Sequence, residues 1–273
     1  MSRGWVDSHT HLQDARIGDP DGVWNAAREA GIQTTLLAGV DHEDWKRQER
    51  LEHLPGVFFS AGLHPQRVAA LAEAEVATEL DALRAWFSAR ATRQRWVALG
   101  EIGMDGFGER RHTFALQQAT FVAQLKLAQH LDLPVILHVL RAHEEALAVL
   151  REVGIPRAGG VVHSYSGSKE LVPRYLDLGL DLAFGGAITW APSNRAAEAL
   201  RACPLDRLLL ETDAPDQTPL AKRPKTNEPA FLVDVATVAA AIKGISLSEL
   251  EVCTSENAER LFHFHETPVE GSS

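Results

Sequence analysis

Cysteine is scarce in this chain. Of 273 residues only Cys203 and Cys253 are cysteines, and they form no CxxC pair. That excludes a disulfide framework and a thiolate zinc site. Long apolar runs are missing too: nothing approaches the ~20 residues of a membrane span. The N-terminal stretch MSRGWVDSHTHLQD turns polar at Asp7 and contains no hydrophobic core of a signal peptide, so a cytoplasmic location and no membrane partner are expected. No glycine-rich phosphate loop follows the first apolar run, where Asp7-Ser8-His9-Thr10-His11 stands instead. This argues against a doubly wound dinucleotide-binding sheet. Positive charge is also short. Lys and Arg total 27 against 37 Asp and Glu, a net charge of −10. Proteins that wrap duplex nucleic acid are usually basic, so any such contact here must be local and assisted by metal ions.

The remaining composition is that of a globular protein, 45% hydrophobic and 23% charged. Short apolar runs alternate with amphipathic stretches. The runs predict eight strands: Gly4–Ser8, Gln33–Leu37, Val57–Ala61, Trp96–Glu101, Val135–His138, Gly160–His163, Leu180–Phe184 and Arg207–Thr212. Between them apolar residues recur at helical spacing, as in Phe114, Leu116, Phe121, Leu125 and Ala128. Ala69–Leu83 reads as one solvated helix and Ser248–Leu261 as the last one. Eight βα units predict the α/β class and a single-domain (β/α)8 barrel over residues 1–265, with 266–273 a flexible tail.

Histidine is abundant, at 12. Several stand where predicted strands end: His9 and His11 after the first, His138 at the fifth, His163 at the sixth. Glu101 ends the fourth and Asp213 follows the eighth. In a parallel barrel these ends converge on one face, where active sites of such barrels lie. His9 and His11 are two apart, so on an extended segment they share a face and can grip one ion together. Neutral imidazoles and carboxylates suit Zn, Mn, Co or Fe. Six donors exceed one tetrahedral site and suit two ions sharing a carboxylate bridge. His42, His53, His112, His130, His143, His263 and His265 read as surface residues on helices or the tail.

At these residues the chain resembles the TatD family of metal-dependent hydrolases, relatives of the amidohydrolases. The motifs are DSHTHLQ (7–13), GLHP (62–65), GEIGMD (100–105), LPVILH (133–138), VVHSYSG (161–167), LLLETDAP (208–215), NEP (227–229) and NAERLF (257–262). The resemblance implies a two-metal (β/α)8 barrel. It implies a first ion held by His9, His11 and Asp213, and a second held by His138 and His163, with Glu101 bridging. It also implies magnesium- or manganese-dependent DNase action, often 3′→5′, with zinc an alternative metal. Three places depart from the family pattern: Val139-Leu140-Arg141-Ala142 after the fifth strand, Thr226 before NEP, and Tyr165 in the sixth-strand motif.

The expectation is hydrolysis of phosphodiester bonds at DNA ends by two divalent ions (Mg, Mn or Zn), which lower the pKa of a water toward neutrality. Asp213 is the residue to orient that water and take its proton, with Glu101 as its catalytic partner. His64, Arg141, Lys222 and Arg223 are the expected substrate contacts, Lys222, Arg223 and Lys225 forming a basic loop on the rim. The rival reading is hydrolysis of an acyl bond (ester, lactone, amide or aminoacyl-tRNA) on the same scaffold. No obligate protein partner is expected.

Overall fold

A computed structural model describes residues 4–89, 94–190 and 194–264. The tail expected from 266 onward lies outside them. Eight parallel strands pair in chain order: β1 (Trp5–Thr10), β2 (Ile32–Leu37), β3 (Val57–Ala61), β4 (Trp96–Asp105), β5 (Val135–Leu140), β6 (Gly160–Val162), β7 (Leu180–Phe184) and β8 (Leu208–Leu210). Between and after them run α1 (Pro20–Glu29), α2 (His42–Glu49), α3 (Pro65–Ala70), α4 (Glu73–Ser88), α5 (Phe114–Leu131), α6 (His143–Val153), α7 (Val172–Leu176), α8 (Asn194–Ala202), α9 (Leu232–Lys243) and α10 (Leu247–Phe262). The gap between β8 and β1 is closed by bonds at their C-terminal ends. Ser8 Oγ donates to the Leu210 carbonyl (2.9 Å), Asp213 N–H to that of His9 (2.9 Å) and His11 N–H to that of Ala214 (2.7 Å). No single helix among the described residues is long and apolar enough to cross a membrane.

The strands are apolar on both sides because both sides are covered. Val6, Leu36, Phe58, Ala98, Ile136, Val161, Ala183 and Leu209 form one buried cluster inside the barrel, floored by Ala258, Leu261 and Phe262 of α10 and by Phe264. Their neighbours Leu37, Phe59, Leu99, Leu137, Val162, Leu182, Leu208 and Leu210 pack outward into the layer under the helices. That is the period of two expected of strands. The lower half of the barrel is therefore plugged with hydrocarbon, and polar side chains collect at the upper, C-terminal half.

Several sequence boundaries shift for identifiable reasons. β4 continues past Glu101 to Asp105, pairing Gly103 with His138 of β5. Gly103 has φ +138°, and a Cβ there would lie 2.1 Å from the His138 carbonyl oxygen, so only glycine permits that approach. β8 is shorter than Arg207–Thr212: Arg207 ends a 3-10 turn, and Thr212 turns aside to donate its N–H to the Asp7 carboxylate (2.9 Å). The stretch Ala69–Leu83 is two helices, broken where Leu71 is extended (φ −108°, ψ 152°) and restarted where Glu75 accepts the Ala72 N–H (2.8 Å). Two histidines read as surface residues are half-buried. His42 packs on Trp45 and Trp86, and His143 on Tyr165 and Tyr175. His265 lies outside the described residues.

Candidate metal centre

His9 is carried by β1 and His11 stands just beyond it; Glu101 is on β4, His138 on β5, and His163 follows β6. Asp213 follows β8, and its left-handed backbone (φ 55°) turns it back toward the barrel axis. The six expected metal-site side chains meet around the Glu101 carboxylate. Oε2 lies 3.4 Å from His9 Nε2 and 3.7 Å from His11 Nε2. Oε1 lies 2.6 Å from His163 Nε2 and 2.9 Å from His138 Nδ1. Asp213 Oδ1 joins the first group, 3.4 Å from His11 Nε2 and 3.6 Å from His9 Nε2. One carboxylate thus gives one oxygen to each of two imidazole sets. Its backbone is approached closely by the end of β3: a Cβ on Gly62 would stand 2.7 to 2.9 Å from backbone atoms of Gly100 and Glu101.

The donors fit a metal. His9 Nε2 and His11 Nε2 face each other at 3.3 Å, and His138 Nδ1 and His163 Nε2 at 3.2 Å. Within each pair only one of the two facing nitrogens can carry a proton without opposing the other, whereas a cation satisfies converging lone pairs together. His9 Nδ1 and His138 Nε2 are buried without a hydrogen-bond partner. His9, His11 and Glu101 on one side, and His64, Glu101 and His138 on the other, are positioned to bind metal.

Electrostatics at the centre express the same crowding. Burial pushes the Glu101 carboxyl up, but the charge of His163 and the hydrogen bonds from His138 and His163 hold it well below the usual range. Burial pushes His163 down, yet Glu101 and Glu211 carry it well above its ordinary value. His11 is opposed by burial but lifted to about 9 by Asp213 and Glu101. Asp213 is held well below the carboxylate range, its burial outweighed by a hydrogen bond from His11 and by His163, His9 and His11.

His64, the cap of α3, joins this centre with Nε2 2.9 Å from Glu101 Oε1. Its Nδ1 accepts the Gln66 N–H (3.1 Å), which leaves Nε2 as the protonated donor. The other expected substrate contacts are not brought in. Arg141 stacks over the exposed ring of Phe107 (4.5 Å). Lys222 pairs with Asp234 (3.4 Å), and Arg223 stacks on Trp190 (4.5 Å). None of the three lines the cavity of about 710 Å³ above the centre. The cations that do are Arg16, Arg47 and Arg67, engaged respectively by Asp14 and Asp216, by Asp44, and by Asp41. They sit in loops or on helix ends with no sequence periodicity, so nothing in the sequence singles them out. Glu211, Ser164 and Gln217 were also missed. Each lies within four residues of a recognised ligand, and proximity to the motifs was the available signal.

Comparison with known proteins agrees with this geometry. The profile of the family described as TatD related DNase matches residues 6–263. The chain is 33% identical over 267 residues to the uncharacterized metal-dependent hydrolase YcfH of Escherichia coli, covering 94% of this chain and 95% of that one. It is 36% identical over 253 residues to the 3′-5′ ssDNA/RNA exonuclease TatD of Klebsiella pneumoniae, covering 89% and 92%. The crystal structure of YjjV, a TatD homologue from Escherichia coli, superposes with a TM-score of 0.89 at 30% identity over 97% of this chain and all of that one.

Proposed function

Because the chain belongs to the family of TatD-related DNases and is thereby a metal-dependent hydrolase, we propose that it cleaves phosphodiester bonds of DNA from the 3′ end of single strands or frayed duplexes, using two divalent ions. The observation that carries this reading is the Glu101 carboxylate, with one oxygen on each of two imidazole sets. His9, His11 and Asp213 would hold the first ion, His138 and His163 the second, and Glu101 both; magnesium, manganese and zinc are the candidates. When bound, such ions supply Lewis-acid charge to phosphoryl oxygens and lower the pKa of water at the site.

Asp213 is ionised. Its Oδ2 accepts from Gln217 Nε2 (2.6 Å) and Ser164 Oγ (3.4 Å), which fixes the side chain and leaves Oδ1 directed at the centre. That oxygen orients the attacking water and accepts its proton. His64, pushed down to about 4 by burial and by the charges of His138 and His163, stays neutral and presents Nε2–H as a donor to a phosphoryl oxygen. Arg16, Arg47 and Arg67 exchange part of their carboxylate pairing for the phosphates of an incoming strand.

The test is an end-labelled oligonucleotide assay on single- and double-stranded DNA and RNA with Mg²⁺, Mn²⁺ or Zn²⁺ and with chelator, product sizes being read. Stepwise shortening from the 3′ end with metal alone supports the proposal. Cutting of closed circular DNA, or no cutting with any metal, overturns it. A second reading, hydrolysis of an acyl bond, is favoured by one feature. The rim carries Asp14, Asp41, Asp44 and Asp216 against three arginines, so an uncharged substrate enters unopposed. A panel of acyl esters assayed beside the oligonucleotides separates the two.

A further inference from the structure

The rings of His9 and His163 stack 3.9 Å apart and 8° from parallel. Their Nε2 edges face Glu101. Their Nδ1 edges face the other way, into a wholly buried space, and neither Nδ1 has a hydrogen-bond partner. Glu211 occupies that space with no exposed side-chain surface. Its Oε1 accepts the Ser164 N–H (2.6 Å) and lies 3.6 Å from His163 Nδ1, while its Oε2 has no partner. One donor atom each from His9, His163 and Glu211 lies within 4.8 Å of the other two. Three buried polar atoms, His9 Nδ1, His163 Nδ1 and Glu211 Oε2, are thus left without a partner on side chains that crowd together, and leaving them so is costly.

We propose that Glu211 is a positioning residue that receives the Nδ1 protons of both His9 and His163, and so fixes one imidazole of each metal set in the tautomer that presents Nε2 to its ion. A neutral imidazole carries one proton; with Nε2 directed at an ion, Nδ1 must bear it and needs an acceptor. Glu211 has one oxygen free and one shared with Ser164, enough for both rings. A third cation in the same space is disfavoured, because both rings would then have to lose both protons. Since His9 and His163 belong to different sets, one carboxylate ties the affinities of the two ions together. This inference rests on the two-ion reading above.

The test is Zn²⁺ binding by the full chain, measured by competition with a chromophoric chelator, alongside ¹⁵N-histidine NMR of the Zn²⁺-loaded protein. Wild type is expected to take two ions and to show, beside the Nδ1–H of His11 that faces the Ala38 carbonyl (3.0 Å), two further shielded Nδ1–H signals, which disappear on His9→Gln and His163→Gln respectively. Glu211→Gln, which offers one acceptor and a clashing amide donor, is expected to weaken both ions by 10- to 100-fold. Two ions bound with unchanged affinity in Glu211→Gln overturn the inference and leave the two-ion reading standing, whereas Nε2–H signals from these rings in wild type overturn both. Three ions bound overturn the positioning role. No Zn²⁺ bound by wild type overturns both. The NMR of wild type decides the matter even if Glu211→Gln does not fold.

Discussion

His143 begins α6 with Nδ1 2.8 Å from the Tyr175 hydroxyl. Burial, then the charges of Arg195 and Arg174, push its pKa down from 6.5 to about 4, against Glu144 and Glu145. The unfolded chain therefore takes up this proton first as pH falls. The contribution of the neutral ring is complete above about pH 6.5 and is lost progressively toward pH 4, to a total of roughly 3 kcal/mol. Urea unfolding at pH 7.5 and 5.0 checks it: wild type is expected to lose about 2 kcal/mol more between the two than His143→Gln does. Glu101 carries a different expectation. Glu101→Ala removes an oxygen from both imidazole sets at once, so kcat on the preferred substrate should fall by about 10³- to 10⁵-fold, read in a metal-saturated assay. At this scale the sequence was informative where chemistry and position coincide. Four histidines, a glutamate and an aspartate gathered at the strand ends of one barrel face are the proposed donor set, and the fold does bring them together around Glu101. The sequence was silent about Glu211, which stands two residues before Asp213 in the same motif and whose carboxylate lies beside His163 Nδ1 rather than among the Nε2 atoms. It did not show that Lys222 is paired with Asp234 and Arg223 stacked on Trp190, away from the cavity lining, because both partners are distant from the motif in sequence.

At the level of elements, all eight strands were legible, because a parallel sheet covered on both faces reads as apolar runs broken by polar helices. Their ends were not. Where β4 stops depends on how closely it can approach β5, and that is decided by Gly103 against the His138 carbonyl, a contact between residues far apart in the chain. Gly103→Ala should therefore force the two strands apart. A loss of roughly 2 to 4 kcal/mol in stability is expected, together with weaker metal binding, since Glu101 and His138 lie on the strands displaced. Denaturant unfolding and metal titration of the same variant check both parts. The break between α3 and α4 was hidden for a similar reason: alanine-rich sequence favours helix throughout, and only the Glu75 side chain on the Ala72 N–H marks a new start.

Across the whole molecule, a net charge of −10 says that any contact with nucleic acid is local, but not how charge is arranged at the mouth. Acidic and basic side chains alternate there in pairs, above Glu101 and Asp213. Bound ions add positive charge beside Glu101 and Asp213, so a chelated protein should bind a short single strand at least tenfold more weakly than one loaded with Ca²⁺, as read by fluorescence anisotropy. Metal should also stabilise the fold. An ion present at about a hundred times its dissociation constant adds about 2.7 kcal/mol, which at this chain length raises Tm by roughly 5 to 10 °C over chelated protein in a thermal scan. The closure of β8 onto β1 reaches further, into how the protein is made. His9 and Asp213 meet at the centre and are joined through their backbones, yet nearly the whole barrel is translated between them. Until Asp213 has left the ribosome the nascent chain holds a sheet with two open edges. The α10 floor emerges later still. The growing polypeptide thus spends most of its synthesis with barrel hydrocarbon uncovered and its first imidazoles unmatched, and the catalytic centre is completed only once the last strand has been made.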